Sequence, residues 1–277
     1  MTVKQPFTPP YFLRNPHIQS ILNSVGPRKF RAKRLIKKLD SQMLILNTAE
    51  DVRLAAEFDS ASSTVESKNA LVILLHGWEG SSKYLAVKML RVAMIAQIET
   101  QHVEVADAIA LFLRDHSYPA VFLAGFSLGA SFTLRIATDR GSELGLTAAV
   151  AICPPVDPTG AMDAMGKTLV IYEKYFFHRW TTSLRKKLKH FPEHDFGAEL
   201  SQAKTLDDLN ITFIAKFTPY ADAQSYFSAY TLTGDRLKAL SIPAVAAVLL
   251  HLNTELLRAI NFSQICSWNN RVVRRGY

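Results

Sequence analysis

Residues 120–129, Ala-Val-Phe-Leu-Ala-Gly-Phe-Ser-Leu-Gly, decide the fold of this 277-residue chain. The apolar run from Ala120 to Ala124 is bounded by Pro119 and Gly125 and therefore predicts a short buried strand. The residues that follow, 130–138, predict the first turns of a helix. Because Ser127 stands between two glycines at this corner, we predict a nucleophile elbow. Such a tight turn strains the backbone of the serine and presents its hydroxyl at the top of a sheet.

The length and composition fit a soluble globular enzyme, and no metal or cofactor is expected. At 277 residues and 48% hydrophobic content, one large α/β domain is expected. Cys153 and Cys266 give neither a disulfide framework nor metal-ligand spacing, which favours a reducing, cytoplasmic location. Residues 1–10 lack the apolar core of a signal peptide, and apolar stretches such as 244–250 are too short to span a bilayer.

The positive charge is concentrated at the N-terminus. Residues 1–39 contain nine Lys or Arg and no acidic residue, and the net charge of +8 therefore leaves −1 for the rest of the chain. The segment from Arg28 to Lys38 is interpreted as a solvated, irregular segment, with peripheral contact to an anionic membrane as the alternative. Aromatic residues interleave poorly with these charges and no nucleic-acid-binding motif is present, so no nucleic-acid partner is expected.

The rest of the chain alternates predicted strands with predicted helices, the pattern of a mostly parallel sheet. The expected elements are a hairpin over 43–47 and 52–58, a Ser-rich loop over 61–69, strands over 70–75, 147–153 and 242–250, a helix over 103–113, and inserted helices over about 161–216. In the helix over 103–113 the expected buried face consists of Val103, Val105, Ala106, Ile109 and Ala110.

A second glycine-rich turn follows the strand over 70–75. His76-Gly77-Trp78-Glu79-Gly80 lies fifty residues before the serine, where acyl-transfer enzymes place an oxyanion donor. The backbone N–H groups of Trp78 and Leu128 are therefore the candidates for an oxyanion hole.

Five strings together resemble the YheT-like branch of the ABHD-type acyl hydrolases, within the α/β-hydrolase superfamily. They are residues 7–20, Phe-Thr-Pro-Pro-Tyr-Phe-Leu-Arg-Asn-Pro-His-Ile-Gln-Ser; 76–82, His-Gly-Trp-Glu-Gly-Ser-Ser; 125–129, Gly-Phe-Ser-Leu-Gly; 154–157, Pro-Pro-Val-Asp; and 217–228, which opens Phe-Thr-Pro-Tyr-Ala-Asp-Ala. The similarity covers roughly residues 7–82 and 103–243.

The resemblance implies an α/β-hydrolase fold, a mostly parallel sheet flanked by helices and carrying a helical cap. Residues 1–40 would be a basic extension packing on the core, and residues 41–277 the hydrolase domain with 158–216 as the cap. It also implies a serine hydrolase of short- to medium-chain carboxylic esters that forms an acyl-enzyme on Ser127. Its substrate would be a small acyl ester, and the N–H groups of Trp78 and Leu128 would bind the oxyanion.

Two departures from the family pattern make the core strand and the C-terminal part incomplete. Residues 83–102 are too few for the helix, core strand and Arg-Asp-His-Gly loop that the family carries there. After about Pro243 the resemblance ends, and the acid and histidine of a Ser–acid–His triad have no counterpart. The pattern indicates an internal deletion and an aberrant or truncated C-terminus, such as a frameshift product would have. The alternative function is therefore a catalytically impaired or dead hydrolase-fold protein.

The remaining candidates for an acid or a base have structural interpretations beside the catalytic ones. Asp157 is expected to cap a helix, and His251 at a strand end is the alternative base. The other residues are expected in packing, helix-start or surface roles: His178, His190 and His194 in the cap, His17 and Asn15 in the N-terminal string, and Arg114-Asp115-His116 before the elbow strand. Phe176, Phe177 and Trp180 fit an acyl pocket and a packed cap equally well.

Overall fold

The computed structural model describes residues 10–15, 18, 41–49, 52–59, 70–78, 80, 98–167 and 170–247. The strands are β1 (Gln42–Ala49), β2 (Val52–Phe58), β3 (Ala70–Leu75), β4 (Ala120–Phe126), β5 (Ala148–Ile152) and β6 (Ala244–Ala247). The helices are α1 (Ile98–Asp115), α2 (Leu128–Arg140), α3 (Pro158–Lys167), α4 (Val170–His190), α5 (Gly197–Gln202), α6 (Leu206–Phe217) and α7 (Ala223–Ala229). Short 3₁₀ turns occupy Tyr11–Leu13 and Pro192–His194.

Four strands form a parallel sheet in the order β3-β4-β5-β6, and helices flank it. The predicted α/β fold class is confirmed, and the arrangement is consistent with an α/β-hydrolase fold. The predicted hairpin is also present, because β1 pairs antiparallel with β2, but it forms a separate two-stranded sheet. Among the described strands, β3 has a neighbour on one side only. Most of residues 83–102, where a core strand was expected to be missing, lie outside the described residues.

Helices α1 and α2 cover one face of the parallel sheet. Side chains that alternate along β3, β4 and β5 point into this layer and are buried, among them Leu75, Leu123 and Ala151. One predicted core position is wrong: Val103 is 43% exposed, because the buried stripe of α1 runs through Val105, Ala106 and Ile109 instead. On the opposite face of the described strands, Val72, Val150 and Val245 are each at least 37% exposed.

A run of helices, α3 to α6, lies between β5 and β6 in the chain, where the cap helices were expected. Its core is aromatic and aliphatic, built around the fully buried Phe196, Leu209 and Phe213. A capping box begins α6: the Thr205 hydroxyl accepts the N–H of Asp208, and the Asp208 carboxylate accepts the N–H of Thr205. We call residues 158–217 the helical segment.

Several predictions fall on residues outside the described ranges. They concern the N-terminal extension apart from residues 10–15 and 18, the loop over 61–69, and the part of the last strand beyond Ala247. His17 and His251 also lie there. Among the described helices, none has both the length and the apolar character that crossing a membrane requires.

Candidate functional site

Ser127 lies at the corner between β4 and α2 in a strained backbone conformation. Its φ of 53° and ψ of −120° place it in the region that favours glycine. Its N–H donates to the carbonyl of Ile152 at the end of β5, while its carbonyl accepts the N–H groups of Ala130 and Ser131. The backbone is therefore held on both sides, and the side chain is exposed. This is the conformation that the prediction of a nucleophile elbow requires.

The glycines on either side of Ser127 allow the strand, the helix and the neighbouring strand to approach closely. A Cβ on Gly129 would lie 2.5 Å from the carbonyl oxygen of His76, and one on Gly125 would lie 2.5 Å from Thr133 Oγ1. Real Cβ atoms do not approach backbone atoms so closely. The Gly-x-Ser-x-Gly spacing therefore follows from packing, which brings the first turn of α2 onto the carboxyl end of β3.

The turn after β3 contacts Ser127 directly. A Cβ on Gly77 would lie 3.0 Å from Ser127 Cβ and 3.6 Å from Ser127 Oγ, so a larger residue at this position would crowd the serine side chain. The turn is closed by the N–H of Gly80, which donates to the carbonyl of Gly77 at 2.9 Å. His76 Nδ1 donates to the same carbonyl at 2.8 Å and so helps to shape the turn.

Both predicted oxyanion donors belong to this corner. Leu128 is the first residue of α2, and the N–H of a first helical residue has no intrahelical acceptor. Trp78 follows Gly77 in the turn that contacts Ser127. The positive end of the α2 dipole lies at the same place and favours a negative oxygen. The corner thus holds an exposed hydroxyl beside the residues of both predicted donors.

The side chain of Trp78 joins this turn to the helical segment. Its ring stacks on Phe176 at a centroid distance of 5.3 Å and an interplanar angle of 4°, and it meets Trp180 edge-on at 5.4 Å. Phe176 and Trp180 lie one turn apart on the same side of α4. The sequence left open whether these aromatic residues pack or line an acyl pocket; the structure shows them packed on Trp78, and Phe177 belongs to the same cluster.

Of the candidates for a triad acid or base, Asp157, His178, His190 and His194 belong to the described residues, and His251 does not. The carboxylate of Asp157 accepts the N–H of Gly160 at 3.0 Å, which confirms the predicted helix-capping role. His178 and His190 are exposed on α4. His178 is two residues from both Phe176 and Trp180, and this separation places it on the opposite side of the helix from Trp78. His194 is half-buried in the 3₁₀ turn after α4.

The tripeptide Arg114-Asp115-His116 lies far from Ser127. It ends α1 just before β4, whereas Ser127 follows the other end of β4, about 20 Å away for a strand of this length. There it lines a groove of about 420 Å³ with residues of β1. His116 packs on Phe112 and bonds the Phe112 carbonyl. This position agrees with the packing or surface role that was expected for the string.

Two features of the corner were missed by the sequence analysis. Cys153, directly after β5, has a φ of 55° and is a second strained non-glycine residue beside Ser127. No sequence signal marks it, because cysteine has no preference for this conformation. The stacking of Trp78 on Phe176 was also missed, since it joins residues almost 100 positions apart. The only hints in the sequence are a tryptophan in a glycine-rich turn and, far from it in the chain, a cluster of aromatic residues.

No family model and no curated sequence matches the chain. Among solved structures, the chain is similar to an arylesterase at 18% identity and a TM-score of 0.38, over 50% of this chain and 58% of that one. It is also similar to a Pyrococcus furiosus esterase (15%, TM-score 0.38, 76% and 82% covered) and to a Mycobacterium smegmatis proline iminopeptidase (12%, TM-score 0.43, 79% and 87% covered). The match thus spans less than two thirds of the arylesterase. With TM-scores below 0.5, none of these similarities carries an argument about activity, which rests on the site itself.

Proposed function

We propose that the chain is a serine hydrolase of carboxylic esters, of the YheT-like branch of the α/β-hydrolases, and that Ser127 is its nucleophile. The observation that carries the proposal is the strained, exposed Ser127 in direct contact with the turn at Gly77. Backbone strain of this kind costs about 1–3 kcal/mol and persists where the surrounding structure enforces it. A hydroxyl held in a strained backbone conformation by its surroundings is typical of a catalytic group.

In the proposed reaction the Ser127 oxygen attacks the ester carbonyl carbon and gives up its proton. The carbonyl oxygen then becomes negative and accepts hydrogen bonds from the N–H groups of Trp78 and Leu128. The C–O bond to the alcohol breaks and the alcohol leaves with the proton given up by Ser127. Water then releases the acid from the acylated serine and restores the serine hydroxyl. Removing one oxyanion donor from such a site typically costs about 3 kcal/mol of transition-state stabilisation.

The second candidate function is a hydrolase-fold protein with impaired catalysis. It is favoured by the engagement of Asp157 in helix capping and by the position of His178 away from Trp78. A serine without an adjacent base is a weak nucleophile at neutral pH. Loss of triad members in serine proteases leaves a residual acceleration of about 10³–10⁴ over water.

Labelling with a fluorophosphonate probe separates the two candidates. An active hydrolase is expected to be labelled, to hydrolyse p-nitrophenyl butyrate, and to lose both properties in Ser127→Ala. Ser131→Ala is the matched control, because Ser131 lies one helical turn later and is fully buried. A folded native chain that shows no Ser127-dependent labelling would contradict the hydrolase and support the impaired protein.

A further inference from the structure

The outer face of α4 has an unusual composition. Ten of the 21 residues of this helix are exposed, and none of the ten is acidic. Seven are basic or histidine, two are aliphatic and one is tyrosine: Lys174, His178, Arg179, Arg185, Lys186, Lys189 and His190, then Val170 and Ile171, then Tyr175. We call these ten residues the α4 outer face.

The single acidic residue of α4 does not belong to this face. Glu173 is half-buried, and its Oε1 accepts the N–H of Leu206 at the start of α6 at 3.4 Å. The acidic residues that follow the helix, Glu193 and Asp195, lie in the turn beyond its C-terminal end. The charge of the α4 outer face is therefore of one sign along its whole length, about 30 Å for 21 residues.

Apolar and basic residues are unevenly distributed along the face. Val170, Ile171 and Tyr175 are 60%, 57% and 48% exposed and lie in the first two turns. The last two turns carry Arg185, Lys186 and Lys189. Exposed aliphatic and aromatic side chains beside a row of cations are the composition of helices that lie on membrane surfaces.

We propose that the α4 outer face docks on an anionic lipid surface. The cations contact the lipid phosphates, and Val170, Ile171 and Tyr175 enter the headgroup region at one end of the helix. These apolar residues favour lipid over nucleic acid, since phosphate backbones reward the cations alone. Docking needs no catalysis, so the inference goes beyond the hydrolase function and stands without it.

Docking through α4 would also bring the candidate site near the lipid, because the inner side of this helix contacts the turn at Trp78. Phe176 and Trp180, on that side, pack on Trp78 in the turn that contacts Ser127. A docked α4 thus separates the turn from the lipid by one helix diameter, about 10 Å.

Vesicle sedimentation of the full-length chain tests the proposal. Phosphatidylcholine vesicles containing about 30% phosphatidylglycerol are expected to bind the protein, and pure phosphatidylcholine vesicles are not. Lys186→Glu/Lys189→Glu is expected to weaken binding at least tenfold, since each basic residue at an anionic surface contributes roughly fivefold. Ile171→Ser/Tyr175→Ser is expected to abolish the binding that remains at about 0.5 M salt, where charges are screened.

Four comparisons decide the outcome. Arg53→Glu/Lys238→Glu changes the net charge equally at exposed positions of β2 and of the loop before β6, and it is expected to bind like the native chain. Equal losses of vesicle binding in the two charge-reversal variants would overturn the proposal. A further variant replaces Lys29, Arg31 and Lys33 by Gln. A loss of vesicle binding in that variant alone would also overturn the proposal. Loss of duplex-DNA binding without loss of vesicle binding in the α4 variant would assign the face to nucleic acid instead. Ser127→Ala is expected to bind vesicles normally, whether or not the chain is a hydrolase.

Discussion

Ser127 has a backbone conformation in which glycine is the more stable residue. At φ 53° and ψ −120° the Cβ is strained, and the hydrogen bonds of the corner keep the residue there. Replacement by glycine relieves this strain. The free energy gained exceeds the free energy lost through the added entropy of the unfolded chain, which is about 0.5–1 kcal/mol.

We therefore expect Ser127→Gly to raise the free energy of unfolding by about 1 kcal/mol, as measured by urea denaturation. The matched control is Ser228→Gly, at an exposed position within α7. It is expected to lower the same quantity by about 0.5 kcal/mol, because glycine is the poorer helix former. A Ser127→Gly protein less stable than the native chain would show that the corner is not strained.

For the glycines of the corner we expect the opposite effect, a loss of stability when the residue is replaced. Gly129→Ala places a methyl group against the backbone of β3 and is expected to cost about 2–3 kcal/mol of stability. Gly166→Ala is the control, because that glycine lies within α3 with open space around it. The control is expected to stabilise the protein by about 0.5–1 kcal/mol in the same measurement. A neutral Gly129→Ala would contradict the close contact.

At the scale of elements, α4 is attached to the site through aromatic rings. Trp78 and Trp180 are two of the three tryptophans of the chain, and their edge-on contact at 5.4 Å brings the indoles close enough for exciton coupling. Circular dichroism of the native protein is expected to show a couplet, and Trp78→Phe and Trp180→Phe are each expected to abolish it. Trp268→Phe, the matched control, is expected to keep it. A couplet that survives Trp180→Phe would contradict the contact.

Phe176 is the other α4 residue that packs on Trp78, and its ring stacks on the indole. Phe176→Ala is expected to lower the free energy of unfolding by about 2–3 kcal/mol, since a large, half-buried ring is lost from between α4 and the turn. Its neighbour Tyr175 is 48% exposed, and Tyr175→Ala is expected to cost less than about 1 kcal/mol. Equal losses in thermal or urea unfolding would show that the stacking contributes nothing.

The elements themselves were largely predictable, and the reasons are local. The apolar run of β4 lies between Pro119 and Gly125, that of β3 ends before His76-Gly77, and the corner at Ser127 follows from glycine spacing. The position of Val103 was not predictable, because the buried stripe of α1 is set by its contacts with α2 and the hairpin rather than by apolar character alone. The stacking on Trp78 depends on which side of α4 meets the sheet, which tertiary packing decides.

At the scale of the whole molecule, a polar cluster joins α1, α2 and the loop before β6. The carboxylate of Asp139, in α2, is bound by both terminal nitrogens of Arg236, at 2.8 Å and 2.6 Å, and by His102 Nε2 of α1 at 3.1 Å. Burial alone would raise the pKa of Asp139, but the hydrogen bonds and charge of Arg236, together with His102, hold the pKa below its ordinary value of 3.8.

The lowered pKa makes stability depend on pH in the acid range. A carboxylate with a lower pKa in the folded state stabilises the protein fully above about pH 4 and loses that contribution as pH falls through the folded-state pKa. Because the side chain is 35% exposed, solvent screening limits the contribution to about 1 kcal/mol. Asp139→Asn is expected to lower stability by this amount at pH 7 and to have a smaller effect at pH 3.

Urea unfolding at the two pH values measures this difference. Asp235→Asn is the control: its side chain is 80% exposed and its nearest cation, on Lys238, is 3.8 Å away. Removal of this exposed pair is expected to change stability by less than about 0.5 kcal/mol at either pH. An Asp139→Asn effect that is the same at pH 3 and pH 7 would contradict the role of the ionised carboxylate.

The pairing order of the sheet sets the order in which a growing chain can complete it. The intervals from β3 to β4 and from β4 to β5 are 44 and 21 residues, whereas 91 residues separate β5 from β6, and the helical segment lies among them. At about 5–20 residues per second, a ribosome needs roughly 5 to 18 s to synthesise that interval. During this time the edge of β5 has no partner strand, and Ser127 is already anchored to it through Ile152. The candidate site thus forms while the sheet still lacks β6. The nascent chain therefore depends on prompt folding of the helical segment before β6, the last described strand, is synthesised.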